Sequence, residues 1–83
     1  MKVDVYSLKK VLFEGQAKSI NCKTISGEIT VLDNHRPLIS MLREGTITIV
    51  DKNKKEHYIP VSTGFLEVQP NSRARLIVDE PSR

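Results

Sequence analysis

The side chains of this chain that could do chemistry are few and poorly grouped. Asp33, His35 and Ser40 are the residue types of a hydrolytic triad, but nothing in their spacing encodes the geometry that a nucleophile and its base need. Glu28 and Glu67, the residue types of a paired acid and base, are far apart in the sequence. The sequence therefore predicts no catalytic group.

The single cysteine, Cys22, excludes an intrachain disulfide, and a lone thiol favours a reducing, cytosolic compartment. Cys22 lies in an alternating run with Ala17 and Ile20, which predicts a small buried hydrophobe rather than a nucleophile. His57 is predicted to face solvent on a strand. Without a Cys/His cluster or a glycine-rich phosphate loop, the sequence predicts neither a metal site nor a cofactor.

Length and charge limit the remaining classes of function. The 83 residues suffice for one domain, residues 1–83, and are too few for two. The 13 Lys and Arg residues exceed the 10 Asp and Glu residues only slightly and are scattered along the chain, which argues against nucleic acid as a partner. No apolar run approaches the roughly 20 residues of a membrane span, so we expect membrane attachment only through another subunit.

The hydrophobic pattern has a period of two nearly throughout, which predicts strands rather than helices. Glycine, asparagine and proline mark turns between them, including one at Glu14–Gly15. Leu38–Arg43 is compatible with a helical turn, but Gly45 and the following Thr-Ile-Thr-Ile run favour a strand. Short strands at this spacing predict an all-β sandwich or barrel of antiparallel strands. The predicted strands are Lys2–Val5, Lys9–Phe13, Ala17–Thr24, Glu28–Leu32, Leu38–Arg43, Thr46–Val50, Glu56–Val61, Phe65–Gln69 and Arg73–Asp79.

Three segments together resemble the ATP synthase epsilon subunit family. Gly27–Leu38 is similar to its Gly-x-(Leu/Ile)-x-(Ile/Val)-Leu-x-x-His-x-Pro-Leu stretch, Tyr58–Val68 to its Val-Ser-Gly-Gly-Phe-Leu-Glu-Val, and Leu12–Gly15 to a segment upstream. The resemblance runs from Lys2 to Asp79 and implies a flattened β-sandwich. It also implies that a carboxy-terminal helical hairpin has no counterpart before Arg83.

The sequence departs from the family pattern at two places. Asp33-Asn34 replaces the common Pro-Gly before the histidine, and Thr63-Gly64 replaces Gly-Gly before the phenylalanine. Because asparagine tolerates the left-handed backbone conformation, we expect the loop to keep its shape at Asn34.

The resemblance also implies candidate contact residues. For the gamma subunit they are His35, Pro37, Leu38 and Ser40, joined by Ser7 and Leu12 on neighbouring strands. For the proteolipid c-ring they are Glu28 and Asn34. A solvated turn acid is an equally open interpretation of Glu28.

The implied role is a non-catalytic rotor subunit of the central stalk. It would link gamma to the c-ring and couple ion translocation to ATP synthesis or hydrolysis, at the cytoplasmic face of the bacterial inner membrane. An epsilon-like adaptor that binds another assembly is the alternative. An enzyme would require Asp33, His35 and Ser40 to converge in one pocket.

Overall fold

The computed structural model, which describes residues 1–81, consists of eight strands. Within these residues no helix is long and apolar enough to cross a bilayer. The all-β prediction is confirmed; the last two residues of the predicted 1–83 domain lie outside the described part. The strands are β1 (Lys2–Tyr6), β2 (Val11–Thr24), β3 (Gly27–Leu32), β4 (Leu38–Leu42), β5 (Gly45–Asp51), β6 (Glu56–Val61), β7 (Thr63–Gln69) and β8 (Arg73–Asp79).

The strands form two layers that share β2. The first layer has the order β2-β1-β8-β7-β4 and uses the first half of β2, while the second has the order β3-β2-β5-β6 and uses its second half. All pairs are antiparallel except β1 and β8. The first and last strands can run parallel because the whole chain between them serves as the crossover.

The predicted turn at Glu14–Gly15 is wrong, and the two strands predicted on either side of it are one 14-residue strand. Glu14 and Gly15 pair with β1, where Val3 lies opposite Gly15. The irregularity in β2 comes later, where the register with β5 shifts between Ala17 and Ser19. Pairing with β1 therefore keeps the backbone extended through a glycine that would otherwise favour a turn.

The core lies between the two layers and follows the predicted alternation. The largest fully buried side chains are Ile20, Ile47, Ile49, Leu66 and Leu76. Cys22 is 1% exposed, and burial raises the pKa of its thiol to about 11. The interpretation of this residue as a buried hydrophobe is confirmed.

Two predictions about backbone conformation are also confirmed. Leu38–Leu42 is a strand, not a helical turn. Asn34 has a φ of 64°, so asparagine supplies the left-handed conformation at this position.

Gly64 is required by a close approach between β7 and β8. A Cβ atom added there would lie 2.9 Å from the Cα of Val78 and still closer to the carbonyl oxygen of Ile77. The neighbouring Thr63 is exposed. Of the two positions at which the family commonly has glycine, only the second is sterically constrained in this chain.

We expect Gly64→Ala to lower the free energy of unfolding by about 1–3 kcal/mol, because the backbone of β8 must move to admit a methyl group. Urea denaturation of the two proteins measures the difference. Thr63→Ala is the control and should cost less than about 1 kcal/mol. Equal losses in the two variants would show that the approach at Gly64 imposes no constraint.

Candidate protein-binding surfaces

The residues that resembled a catalytic triad do not interact with one another. Asp33 Oδ1 lies 2.7 Å from the amino group of Met1. His35 Nδ1 lies 2.8 Å from the carbonyl oxygen of Arg36, and Ser40 Oγ donates to the carbonyl oxygen of Met41 at 3.3 Å. Among residues 1–81, no three His, Cys, Asp or Glu side chains are placed to hold a metal ion.

The loop between β3 and β4 is fixed to two other segments. Besides the Asp33–Met1 ion pair, the N–H of Asn34 donates to Ser72 Oγ, and this hydroxyl donates to Asn34 Oδ1, each at 3.1 Å. The N–H of His35 donates to the carbonyl oxygen of Leu32 at 3.2 Å. The loop that presents His35 and Pro37 is therefore held in one shape.

The other candidate gamma contacts are only partly continuous with this loop, because Leu38 lines one groove together with Pro37 and Ser7 lies elsewhere. Leu12 and Leu38 are half-buried and pack against the core, and Ser40 is half-buried on the same face of β4 as Leu38. Ser7 closes the β1–β2 turn, where its Oγ accepts from the N–H groups of Lys9 and Lys10. This turn lies at the opposite end of β1 from the Met1 and Ser72 contacts of the loop.

The two candidate c-ring contacts are also separated. Glu28 pairs with Lys23 beside the β2–β3 turn, whereas Asn34 follows Leu32 at the far end of β3. Four residues of strand span about 13 Å. Glu28 and Asn34 therefore face different ends of the sandwich and cannot belong to one small contact.

The outer face of the first layer carries a feature that the sequence analysis did not identify, a row of five apolar side chains. The strand register places Tyr6 opposite both Val11 and Ile77, and Phe65 opposite both Ile77 and Met41. Tyr6 is half-buried, and the other four are exposed. With adjacent strands about 4.8 Å apart, this apolar row is about 19 Å long.

Charged groups and one further apolar side chain border the apolar row. In the next row of outward-facing residues, Ile39 lies opposite Glu67, and Glu67 lies opposite Arg75. Ile39 is 74% exposed. Arg75 Nη2 donates to Glu67 Oε1 at 2.8 Å, and this bond lowers the pKa of Glu67. A groove of about 310 Å³ between β4 and the β7–β8 turn, lined in part by Pro37 and Ile39, continues the apolar surface.

The outer face of the second layer is mainly polar. Its middle row contains Thr30, Asn21, Thr48 and Tyr58 in register, and Asn21 Nδ2 donates to Thr30 Oγ1 at 2.9 Å. Tyr58 is exposed and donates to Glu56. The two outer faces therefore differ in chemistry, and the apolar one is suited to binding a protein.

A signal for the apolar row was present in the sequence. Leu38–Leu42 and Leu76–Val78 are nearly continuous apolar runs, which are typical of strands covered on both faces. A half-solvated strand would instead alternate apolar and polar residues. These runs therefore place apolar side chains on the outer face of their strands as well as on the core face.

His57 is not solvent-facing as predicted. It is half-buried, its Nε2 lies 2.8 Å from Asp51 Oδ2, and its ring meets Phe13 edge-on at a centroid distance of 5.0 Å. Asp51 Oδ1 also accepts from the N–H groups of Asn53 and Lys55. These bonds fix the β5–β6 turn and lower the pKa of Asp51, the hydrogen bond to His57 contributing most.

Comparisons with known proteins give a consistent result. Residues 1–80 match the family model of the ATP synthase Delta/Epsilon chain β-sandwich domain. The chain is 44% identical over 72 residues to the ATP synthase epsilon chain of Bordetella avium, covering 87% of this chain and 51% of that protein. The corresponding protein of Bordetella petrii is 43% identical over 70 residues. The chain thus spans about half the length of the curated relatives it matches.

Solved structures share the fold at low sequence identity. A chain of the Euglena gracilis mitochondrial ATP synthase superposes with a TM-score of 0.85 at 18% identity, covering 92% of this chain and 48% of that chain. A chain of the Tetrahymena thermophila mitochondrial ATP synthase, from a structure of its central stalk and c-ring, gives 0.79 at 16% identity, covering 96% and 63%. The predicted sandwich is therefore a known fold.

The lowered pKa of Asp51 predicts a pH dependence of stability. The contribution of the Asp51 carboxylate to the free energy of unfolding is fully present above the carboxyl pKa of the unfolded chain, about 3.9. It is lost as the pH falls through the lower pKa of the folded protein. Asp51→Asn should therefore be less stable than the parent protein at neutral pH, and the gap should narrow on acidification. Urea denaturation across this range measures it; a gap that stays constant with pH would contradict the prediction.

Proposed function

Because this chain belongs to the family of ATP synthase Delta/Epsilon chain β-sandwich domains, we propose that it is a non-catalytic central-stalk subunit of an F-type ATP synthase. In this role it links the gamma subunit to the c-ring, so that ion translocation and ATP synthesis or hydrolysis are coupled by rotation. The relatives named ATP synthase epsilon chain support this proposal. The complex would hold the chain peripherally at the cytoplasmic face of a bacterial inner membrane.

The observation that carries a binding role is the apolar row. Exposure of five neighbouring apolar side chains on one sheet face to water is unfavourable in free energy, and such patches mark protein interfaces. We assign the gamma contact to this row together with Ile39, because Leu38 and Ser40 of the same strand lie on its inner face. Pro37 and His35 extend the contact at the loop, while Ser7 and Leu12 remain candidates at the opposite end.

Binding through this row also has an energetic rationale. A domain of this size buries only about 60% of the surface that its unfolded chain would expose, so its own core gives limited stability. A partner that binds only the folded state adds apparent stability by mass action.

Glu28 and Asn34 remain the candidates for the c-ring contact. Because they lie at different ends of the sandwich, only one of them lies at the centre of that contact.

We expect Phe65→Thr to weaken binding to the gamma subunit encoded in the same genome at least tenfold, about 1.4 kcal/mol. Phe65 is 52% exposed at the middle of the apolar row, and threonine keeps strand propensity. Calorimetric titration of gamma measures the affinity.

Tyr58→Thr is the matched control, because Tyr58 is 63% exposed on the outer face of the second layer. It should leave the affinity unchanged. Equal losses in the two variants would contradict the assignment of the apolar row. Failure of the parent chain to bind gamma, with recovery of another assembly in its place, would favour the epsilon-like adaptor.

A further inference from the structure

Six exposed basic side chains lie along one edge of the sandwich. The edge consists of the β5–β6 turn, the β3–β4 loop, the start of β8 and the irregular point of β2. We call this set the basic edge; its members are Lys18, Arg36, Lys52, Lys54, Lys55 and Arg73. They are dispersed in the sequence, but the fold brings them to the same end.

Backbone pairing, hydrogen bonds and one ion pair connect these segments. Ala17 pairs with Asp51, which places Lys18 beside the β5–β6 turn. The amino group of Met1 donates to the carbonyl oxygen of Ala17 at 2.9 Å and lies 2.7 Å from Asp33, which brings in the loop with Arg36. The bonds between Asn34 and Ser72 then join this loop to the turn before Arg73.

The acids at this edge have other partners. Asp33 is paired with Met1, Asp51 with His57, and Glu56 accepts from Tyr58. Within residues 1–81, none of the six basic side chains forms an ion pair. The edge holds six of the 13 Lys and Arg residues and three of the 10 Asp and Glu residues, so it accounts for the whole formal net charge of +3.

We propose that the basic edge binds the anionic headgroups of a phospholipid bilayer. Four of the six side chains are lysines, which act as flexible point charges without the fixed fork that arginine offers to a single carboxylate. They lie on one turn, one loop, the start of β8 and one strand irregularity. This spread suits an extended surface of phosphates better than a single small ligand. Each lysine or arginine near an anionic bilayer surface contributes a similar amount to the free energy of binding.

This inference rests on the proposed function to the extent that a stalk subunit beside the c-ring lies close to a membrane. Asn34, one of the two candidate c-ring contacts, is in the loop that carries Arg36. If Asn34 rather than Glu28 faces the ring, the basic edge points toward the bilayer around it. An acidic protein surface is the competing occupant.

The test is co-sedimentation of the chain with vesicles of phosphatidylcholine, with and without phosphatidylglycerol. We expect binding only to the anionic vesicles, weakened by added salt. The triple variant Lys18→Gln/Lys52→Gln/Lys55→Gln should reduce it on the order of 100-fold. The matched control Lys9→Gln/Lys10→Gln/Lys23→Gln removes the same charge from exposed lysines elsewhere and should bind like the parent.

Two outcomes would overturn the proposal. Equal losses in the two triple variants would mean that net charge alone drives the binding. No binding to anionic vesicles would exclude a lipid surface, and loss of the edge variant's assembly with stalk or ring subunits would then identify an acidic protein as the occupant. The vesicle measurement contains no stalk subunit, so its failure is distinguishable from failure of gamma binding in the Phe65→Thr experiment.

Discussion

The rest of this structure depends on the bend in β2. A straight strand of 14 residues would be about 46 Å long, whereas the longest dimension of the molecule is 34 Å. The first half of β2 completes one layer against β1, and the second half is the centre of the other layer, between β3 and β5. Its last residue, Thr24, reaches Leu42 on the far edge strand of the first layer and closes the sandwich. The bend also brings Ala17 to Met1, and so fixes where the loop after β3 lies.

Because β2 joins the layers, every strand has one face in the core, and function is left to the outer faces and ends. The two outer faces differ in the side chains that they expose. The apolar row on the first layer is bordered by the Glu67–Arg75 pair, whereas threonine, asparagine and tyrosine form the middle row of the second layer. The ends differ as well, since the basic edge lies at the end that contains the β3–β4 loop. A small domain can in this way present separate surfaces to separate partners.

Local patterns in the sequence were sufficient to predict most strands, because alternation and turn residues act over short distances. They failed at Gly15, where pairing with β1 overrides the local preference of glycine. The candidate site could be predicted only in part. The left-handed conformation of Asn34 was expected from its residue type, and the structure confirms it. A motif does not say which face of a strand is outward, so the inward-facing Leu38 and Ser40 were named as gamma contacts and the outward-facing Ile39 and Met41 were not considered. The apolar row and the basic edge are assembled from residues distant in sequence, and only the strand register and the contacts between loops reveal them.

Photo-crosslinking in the assembled enzyme tests the central claim most directly, that the apolar row is the surface that contacts the central stalk. A photoreactive residue replaces Ile39 beside the row in one variant and Tyr58 on the polar face in another. The account predicts that the gamma subunit is captured from position 39 and not from position 58. Capture from position 58 alone, or from neither position in an assembly that contains the chain, would contradict it.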